Sequence, residues 1–501
     1  MSRPVRVRFA PSPTGFLHIG GVRSALFNWL YARHHKGQFI VRIEDTDLER
    51  SEDRFTQDIY ASLKWLGIIS DEEPIFQSKR LGLYLEKAKE LVAHDHAYWC
   101  YCSEADVEQM RVVATAAGKR AQYNRHCRDL KLPEPKVGQI AVIRAKVPLD
   151  GYTEFDDMIR GPIRIENTEV DDFVLIRSNL APTYNLSVVV DDVGSRMTHI
   201  IRGEEHVNNT PKQIHLYNYF NYEIPRFAHL PLILGPDKKK LSKRHGAVSA
   251  NVYRAEGYLA EAMINFLVRL GWSHGDQEIF SVDELIEFFD FDHVSVSSGV
   301  FNPEKLLWLN GEYMRKAEPA RLAAIVADEY PEHFAAAPGS LAKVKTQLGA
   351  ELVKLIQAKV KLTKEVAEQL VPLCTTLPVE VDASGLKWNK DPAVKTAVKA
   401  AVKHATDLLA KKIAAVPPVK RTGADAVWGT SPALVDAGMT HTDVDAFLKQ
   451  IGEETGVKLG DLAQPMRLTV TGRMVSAGLF DLLAIMPWDV VEPRLRKIET
   501  L

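Results

Sequence analysis

Val5-Arg6-Val7-Arg8-Phe9, Pro11-Ser12-Pro13-Thr14-Gly15, the segment from His18 to His35, and Gln38-Phe39-Ile40-Val41-Arg42-Ile43 together decide the fold. Residues 5–9 alternate apolar and basic, the period of a short strand. The two prolines and Gly15 force a loop. From His18 to about His35, Ile19, Val22, Leu26, Trp29, Leu30 and Ala32 share one broad face, which predicts a helix stopped by Gly37. Gln38–Ile43 is again strand-like. Strand, helix, strand with one crossover is a βαβ unit, so its two strands are expected to be parallel. The loop between first strand and helix lies where α/β sheets bind ligands. A helix start there offers unpaired N–H groups to phosphate, and Gly20 and Gly21 permit close backbone approach. Neither a P-loop nor a G-x-G-x-x-G fingerprint is present. Taken alone, the segment is equally an ordinary turn with Thr14 as cap and His18 packed beneath it.

Working outward, residues 82–180 break the rhythm with a cysteine cluster, a basic stretch from Arg120 to Lys136, and short β-like runs such as Ile140-Ala141-Val142-Ile143. They are expected to be an insertion. Strand character is expected to return over residues 184–201, in Leu186-Ser187-Val188-Val189-Val190 and Thr198-His199-Ile200-Ile201, so the α/β domain is split and then resumed. Beyond about residue 240 the pattern is mostly helical. Leu352, Leu355, Ile356, Val360, Val366 and Leu370 recur at helical spacing, and Asp391-Pro392 is a cap and first-turn pair for a helix to about Ala415, ended by Pro417-Pro418.

At 501 residues, the chain is long enough for about three to five domains. Its 46% hydrophobic and 26% charged residues exclude a disordered or fibrous class. A net charge of −2 gives no global signal for a polyanion partner, though basic residues confined to one face would supply one. There is no apolar run of about 18 residues and no apolar core of a secretory signal near the start, so no membrane and a cytoplasmic location are expected. Four cysteines are too few for a disulfide scaffold at this length.

A second chemical feature is the cationic loop Pro236-Asp237-Lys238-Lys239-Lys240-Leu241-Ser242-Lys243-Arg244-His245-Gly246. Several ammonium groups on one loop suit a polyphosphate whose charge grows in a transition state; alone, such a run is more often a solvated surface. The pair is far more specific than either part. His18-Ile19-Gly20-Gly21 resembles the HIGH signature, and Lys240-Leu241-Ser242-Lys243-Arg244 the KMSKS signature, of class I aminoacyl-tRNA synthetases. The wider strings Arg8–Gly15, Phe39–Asp47, Pro182–Leu186, Ile201–His206, Gly271–Ser273, Leu462–Arg467 and Ser476–Phe480 resemble the bacterial glutamyl-tRNA synthetases, and the resemblance covers essentially the whole chain.

That resemblance implies an α/β fold. A split, Rossmann-like, parallel-sheet catalytic domain (residues 1–82 and 182–235) would carry an inserted α+β acceptor-binding subdomain (83–181). All-α parts would follow: a stem-contact domain with the lysine loop (236–320) and two anticodon-binding domains (321–378 and 379–501). It implies that L-glutamate is activated with ATP and Mg2+ to glutamyl-adenylate and then moved to the 3′-terminal adenosine of tRNA(Glu), by a chain expected to be monomeric. By the same resemblance Arg8 and Tyr184 face the γ-carboxylate, Arg202 takes the α-carboxylate, Ser12 and Glu44 hold the α-ammonium, and Ala10 lines the pocket. His18, Gly20, Lys240 and Lys243 would be the catalytic group. ATP would lie against them and against Thr14, Gly21, Glu205, Leu234, Leu241, Ser242 and Arg244. A buried arginine separates glutamate from glutamine because a guanidinium pairs with a carboxylate and not with an amide.

Cys100-Tyr101-Cys102 and Cys127 put three thiols on about 28 residues, which favours a zinc site over disulfides. Relatives with this site carry C-x-C followed by C-x-H; here Asp129 occupies the histidine position. Tyr123, matching a Tyr-x-x-x-Cys variant of a related paralogue, and His126 are the other candidates for a fourth ligand. Cys374 is expected to be a buried structural thiol. Lys395, Lys399 and Lys403 form a cationic stripe opposite Val394, Val398 and Val402, suited to an RNA backbone or simply to water. Two other functions remain open: glutaminyl-tRNA synthetase, whose anticodon region is built from β-barrels, and a non-catalytic tRNA-binding relative.

Overall fold

The computed structural model describes all residues except 1, 2, 48, 119, 137, 242–248, 338, 376–378, 387, 389, 390 and 475. The chain divides into two compact units, residues 1–252 with 263–303, and residues 253–262 with 304–501.

In the first unit, β1 (Arg6–Phe9) leads into α1 (Ile19–His34) and returns as β2 (Gln38–Ile43). β1 and β2 pair in parallel, with Arg8 opposite Ile40, as the βαβ pattern requires. β3 (Ile75–Phe76) extends this sheet beyond β2. The intervening segment forms an antiparallel sheet of β4 (Ala97–Cys100), β5 (Val142–Ala145) and β8 (Val174–Ile176), and a hairpin of β6 (Tyr152–Asp157) and β7 (Gly161–Glu166). β9 (His199–Gly203) and β10 (Arg226–Leu230) pair in parallel, and β10 also meets β6, so the hairpin is continuous with a sheet of order β7-β6-β10-β9. The Thr198 N–H donates to the Arg6 carbonyl at 3.0 Å, laying β9 beside β1. Successive strands therefore diverge from β1 on one side and β9 on the other. Such a switch point opens a crevice outside the strands' carboxyl ends.

The expected strand at Leu186–Val190 is instead part of a helix, Tyr184–Gly194. Leu186 through Asp192 are all buried, so no solvated face exists to reveal a helical period, and a short apolar run looks the same in a buried strand or helix. The two aspartates at its end are drawn inward by arginines rather than left in water.

In the second unit, helices Gln347–Gln357 and Thr363–Cys374 bury Leu352, Ile356, Val366 and Leu370 as the spacing predicts, while Val360 packs in the turn between them. Cys374 is buried there too. Helix Pro392–Ala414 starts where expected: Asp391 Oδ1 accepts from the Ala393 N–H at 2.9 Å and from the Val394 N–H at 3.4 Å. Its lysine stripe is engaged by the chain end: Lys395 Nζ donates to the Leu501 carbonyl, Lys399 Nζ to the Glu499 carbonyl, and Lys403 lies 3.3 Å from the Glu499 carboxylate. Among the described residues, no strand follows Val300, and no helix is long and apolar enough to cross a membrane. Replacing the cap, Asp391→Ala, should cost about 1 kcal/mol locally, so amide exchange in the helix's first turn should quicken about fivefold; unchanged exchange there would show that the cap contributes nothing.

Candidate active site

The crevice is a cavity of about 420 Å3 at the ends of β1, β2 and β9. β1 delivers Arg8, Ala10 follows it directly, the loop brings Ser12, and Glu44 directly follows β2. Tyr184 opens the Tyr184–Gly194 helix, β9 carries Arg202, and Glu205 stands on the 3-10 turn after it. His18, Gly20, Gly21, Lys240 and Leu241 line the same cavity. Arg8 and Leu241, 233 residues apart in sequence, are thus brought together. Thr14 and Leu234 do not line it. Leu234 instead forms a bridge with Lys240, and the Leu241 N–H donates to the Ile233 carbonyl at 2.9 Å, fixing the entry to the lysine loop. Ser242, Lys243 and Arg244 lie outside the described residues.

His18, not Thr14, caps α1: its Nδ1 accepts the Gly21 N–H at 3.2 Å. A Cβ at Gly20 would sit 3.0 Å from that nitrogen, so any larger residue would press on the imidazole. Burial lowers the His18 pKa; Glu205 opposes the shift and Lys240 adds to it. A neutral imidazole and open N–H groups at a helix N-terminus together suit phosphate oxygens.

The floor of the cavity is a buried charge network. Asp192 receives Arg8 Nε at 3.0 Å and Arg42 NH1 at 2.5 Å, while Arg42 NH2 reaches Glu44 Oε1 at 3.0 Å. Asp191, beside it, holds Arg80 at 2.8 Å, Gln77 at 2.9 Å and the Tyr84 hydroxyl at 2.8 Å. Burial would raise the Asp192 carboxyl, but Arg42 and Arg8 outweigh it and hold its pKa below the usual range. For Glu44 burial wins over Arg42, and its pKa is raised. Arg202 is held from behind by Gln213 Oε1 at 2.8 Å, Thr210 Oγ1 at 2.8 Å and His229 Nε2 at 3.1 Å. Toward the cavity it makes only long contacts, 3.5 Å to the Tyr184 hydroxyl and 3.4 Å to the His206 carbonyl.

Three participants carry no role in the sequence analysis. His206 lines the cavity, stacks on Tyr184 and takes that residue's hydroxyl at 3.2 Å; burial, with Arg202 adding, pushes its pKa down to about 4. Arg42 was visible only as a charge inside an apolar strand, and Asp192 only as an acid after an apolar run.

A second cluster lies at β4. Cys100, Cys102 and Cys127 bring their sulfurs within 4.8 Å of one another, with Cys102 and Cys127 3.5 Å apart. Zinc–sulfur bonds of about 2.3 Å require sulfur–sulfur edges of about 3.8 Å, so the donor set fits a tetrahedral zinc. The Tyr123 hydroxyl stands 3.4 Å from Cys100 Sγ and 3.7 Å from Cys102 Sγ. Arg144 donates to Cys100 Sγ at 3.4 Å, a cation that favours thiolate. Asp129 points away: its carboxylate is 84% exposed and 3.9 Å from Lys146 Nζ. His126 lines a surface hollow beside Cys102 and Cys127.

The cavity joins an anion-ready helix start to the buried arginines Arg8 and Arg202, a surface suited to phosphate and carboxylate groups. Residues 4–308 match the family described as "tRNA synthetases class I (E and Q), catalytic domain", and residues 430–499 match an "Anticodon binding domain". The chain belongs to the class I tRNA synthetases of this glutamate and glutamine group. Along nearly its full length it is similar to proteins named glutamate–tRNA ligase: 44% identical to that of Syntrophobacter fumaroxidans (98% of this chain, 97% of the relative) and 41% identical to glutamate–tRNA ligase 1 of Syntrophus aciditrophicus (99% and 97%). The crystal structure of a glutamate tRNA ligase from Elizabethkingia meningosepticum, in complex with its amino acid, superposes with a TM-score of 0.78 at 30% identity, covering 100% of both chains.

Arg42→Met would strip the buried Asp192 and Glu44 of a counter-charge. It should destabilise the first unit by about 3–5 kcal/mol in urea unfolding, whereas Arg54→Met, at an exposed pair with Glu52, should cost less than about 0.5 kcal/mol. Equal costs would contradict the network's role.

Proposed function

We propose that the chain is a glutamate–tRNA ligase. It joins L-glutamate to tRNA(Glu) in two steps, with ATP and Mg2+ as energy source. The glutamate α-carboxylate oxygen attacks the α-phosphorus of ATP and pyrophosphate leaves. A ribose hydroxyl of the tRNA's terminal adenosine then attacks the acyl carbon, and AMP leaves. Neither step needs a side-chain nucleophile; positioning and charge neutralisation suffice.

The observation that carries this reading is the cavity's charge. Around its amino-acid end, Arg8 and Arg42 share Asp192, Arg42 also reaches Glu44, and the buried Arg202 pairs with no carboxylate among the described residues. Glutamate, with net charge −1, matches that cation, whereas glutamine leaves a buried positive charge uncompensated, which is costly. Arg8 and Tyr184 would receive the γ-carboxylate. Arg202 would turn its two long cavity-side contacts over to the α-carboxylate, with Ser12 and Glu44 on the ammonium and Ala10 against the chain. His18, Gly20 and Gly21 at the helix start, with Glu205, Lys240, Leu241 and, outside the described residues, Ser242, Lys243 and Arg244, would hold ATP. Lys240 and Lys243 would take the charge that builds on the departing pyrophosphate. Thr14 and Leu234 would act only by shaping the loops beside the cavity.

The domain scheme stays part of this reading: a catalytic domain (1–82, 182–235), acceptor-binding insertion (83–181), stem-contact domain (236–320) and two anticodon-binding parts (321–378, 379–501). A helical chain beyond Val300 and full-length relatives named for glutamate weigh against a glutaminyl-tRNA synthetase. An intact phosphate-ready helix start and Lys240 weigh against a non-catalytic relative. Cys100, Cys102 and Cys127 would hold one zinc ion with Tyr123 as nearest fourth donor, and the ion would cross-link the insertion without entering the reaction. A working monomer in the cytoplasm is the simplest setting.

Two measurements check this reading. Arg8→Ala should abolish ATP-dependent glutamate attachment while the chain stays folded by circular dichroism, at some cost in stability because a buried partner of Asp192 is lost; near-normal activity would remove the assignment. Elemental analysis of purified protein should find about one zinc per chain, lost in Cys127→Ser; zinc far below that would end the metal reading.

A further inference from the structure

Behind Arg202 lies a buried relay that the charge network does not include. Asp157, last residue of β6, and His229, next to last in β10, are both fully buried. His229 Nδ1 lies 2.6 Å from Asp157 Oδ2, and His229 Nε2 lies 3.1 Å from Arg202 Nε. Arginine Nε can only donate. His229 Nε2 must therefore be a bare acceptor, and the ring proton must sit on Nδ1, donated to Asp157. Asp157 is equipped for nothing but accepting: its Oδ1 also takes the N–H groups of Ile159 and Arg160 at 3.0 Å each, and that of His229 at 3.3 Å. Burial and Arg202 keep the imidazole neutral against the pull of Asp157.

We propose that Asp157 and His229 are positioning residues for Arg202: the carboxylate locks the imidazole tautomer, and the imidazole holds the guanidinium in the plane that receives the amino acid's α-carboxylate. The proposal rests on Arg202 having that role. Because Asp157 ends the strand of the inserted hairpin that pairs with β10, the same bond ties the seating of the insertion to the geometry of the amino-acid site.

The chemistry gives a sharp test. In Asp157→Asn the amide must present N–H either to three backbone N–H groups or to His229 Nδ1. The second choice is the smaller conflict, and it moves the ring proton to Nε2, where it opposes Arg202 Nε–H. Glutamine at position 229 has no ring tautomer to lock, and its amide oxygen can occupy the Nε2 position as an acceptor for Arg202. Steady-state charging of tRNA should show Asp157→Asn raising the glutamate KM by about ten- to a hundredfold, with the KM for ATP little changed. His229→Gln should have a small effect, and adding Asp157→Asn to His229→Gln should raise the glutamate KM no further, the non-additivity expected of residues acting through one another. An equal KM penalty from Asp157→Asn with or without His229→Gln, or a fall in thermal stability with no change in KM, would overturn the relay. Arg202→Ala serves as the reference: a glutamate KM unmoved by that change would instead remove the role of Arg202, and the relay's purpose with it.

Discussion

Everything around the cavity depends on one carboxylate, that of Asp192, shared between the guanidiniums of Arg8 and Arg42. Three ions taken out of water are costly unless each is matched. The match fixes three elements at once: β1 through Arg8, β2 through Arg42, and the Tyr184–Gly194 helix through Asp192 itself. Asp192 engages Arg8 through Nε and, more loosely, NH2 at 3.4 Å; in the proposed reading the rest of the guanidinium meets the substrate carboxylate. A pocket that must hold a dicarboxylic amino acid needs positive charge that is both buried and rigid. In the proposed reading Asp192 supplies the rigidity, and Arg202, which pairs with no carboxylate among the described residues, supplies the charge.

The same economy of buried polar groups runs through the rest of the first unit. Arg202 is braced by Gln213, Thr210 and His229, and Asp172 receives the Tyr98 hydroxyl at 2.7 Å and Arg128 at 2.7 Å beneath the thiol cluster. Such networks hold side chains in single rotamers. A catalyst that works by positioning rather than by covalent chemistry needs that more than it needs reactive groups.

The sequence made the βαβ start legible because its periods of 2 and 3.6 change over at two prolines and a glycine. It also made the Asp391 cap and the helical chain beyond residue 300 legible, since caps and amphipathic spacing are local. The Tyr184–Gly194 helix was not legible: buried from Leu186 through Asp192 and rich in valine, it shows no solvated stripe at helical spacing. Nor was the partner of Arg8, because the 184 residues between Arg8 and Asp192 leave no local trace. The sequence does not reveal His18 as the helix cap, because Thr14 is the better capping residue by type, and geometry, not type, chose. At the cysteine cluster, position in a motif pointed to Asp129, whereas the fold turns Asp129 toward Lys146 and brings the Tyr123 hydroxyl to the sulfurs. The motifs located the active cavity; its electrostatic floor emerged only from the packing.

The central claim is that this cavity selects glutamate by charge and passes it to tRNA. It is tested most directly by ATP-dependent attachment of labelled glutamate, and separately of labelled glutamine, to total bacterial tRNA. Glutamate should be attached in a form released by mild base, as an ester must be, and glutamine should not be attached. Attachment of glutamine at a comparable rate, or of neither amino acid with ATP and Mg2+ present, would contradict that claim.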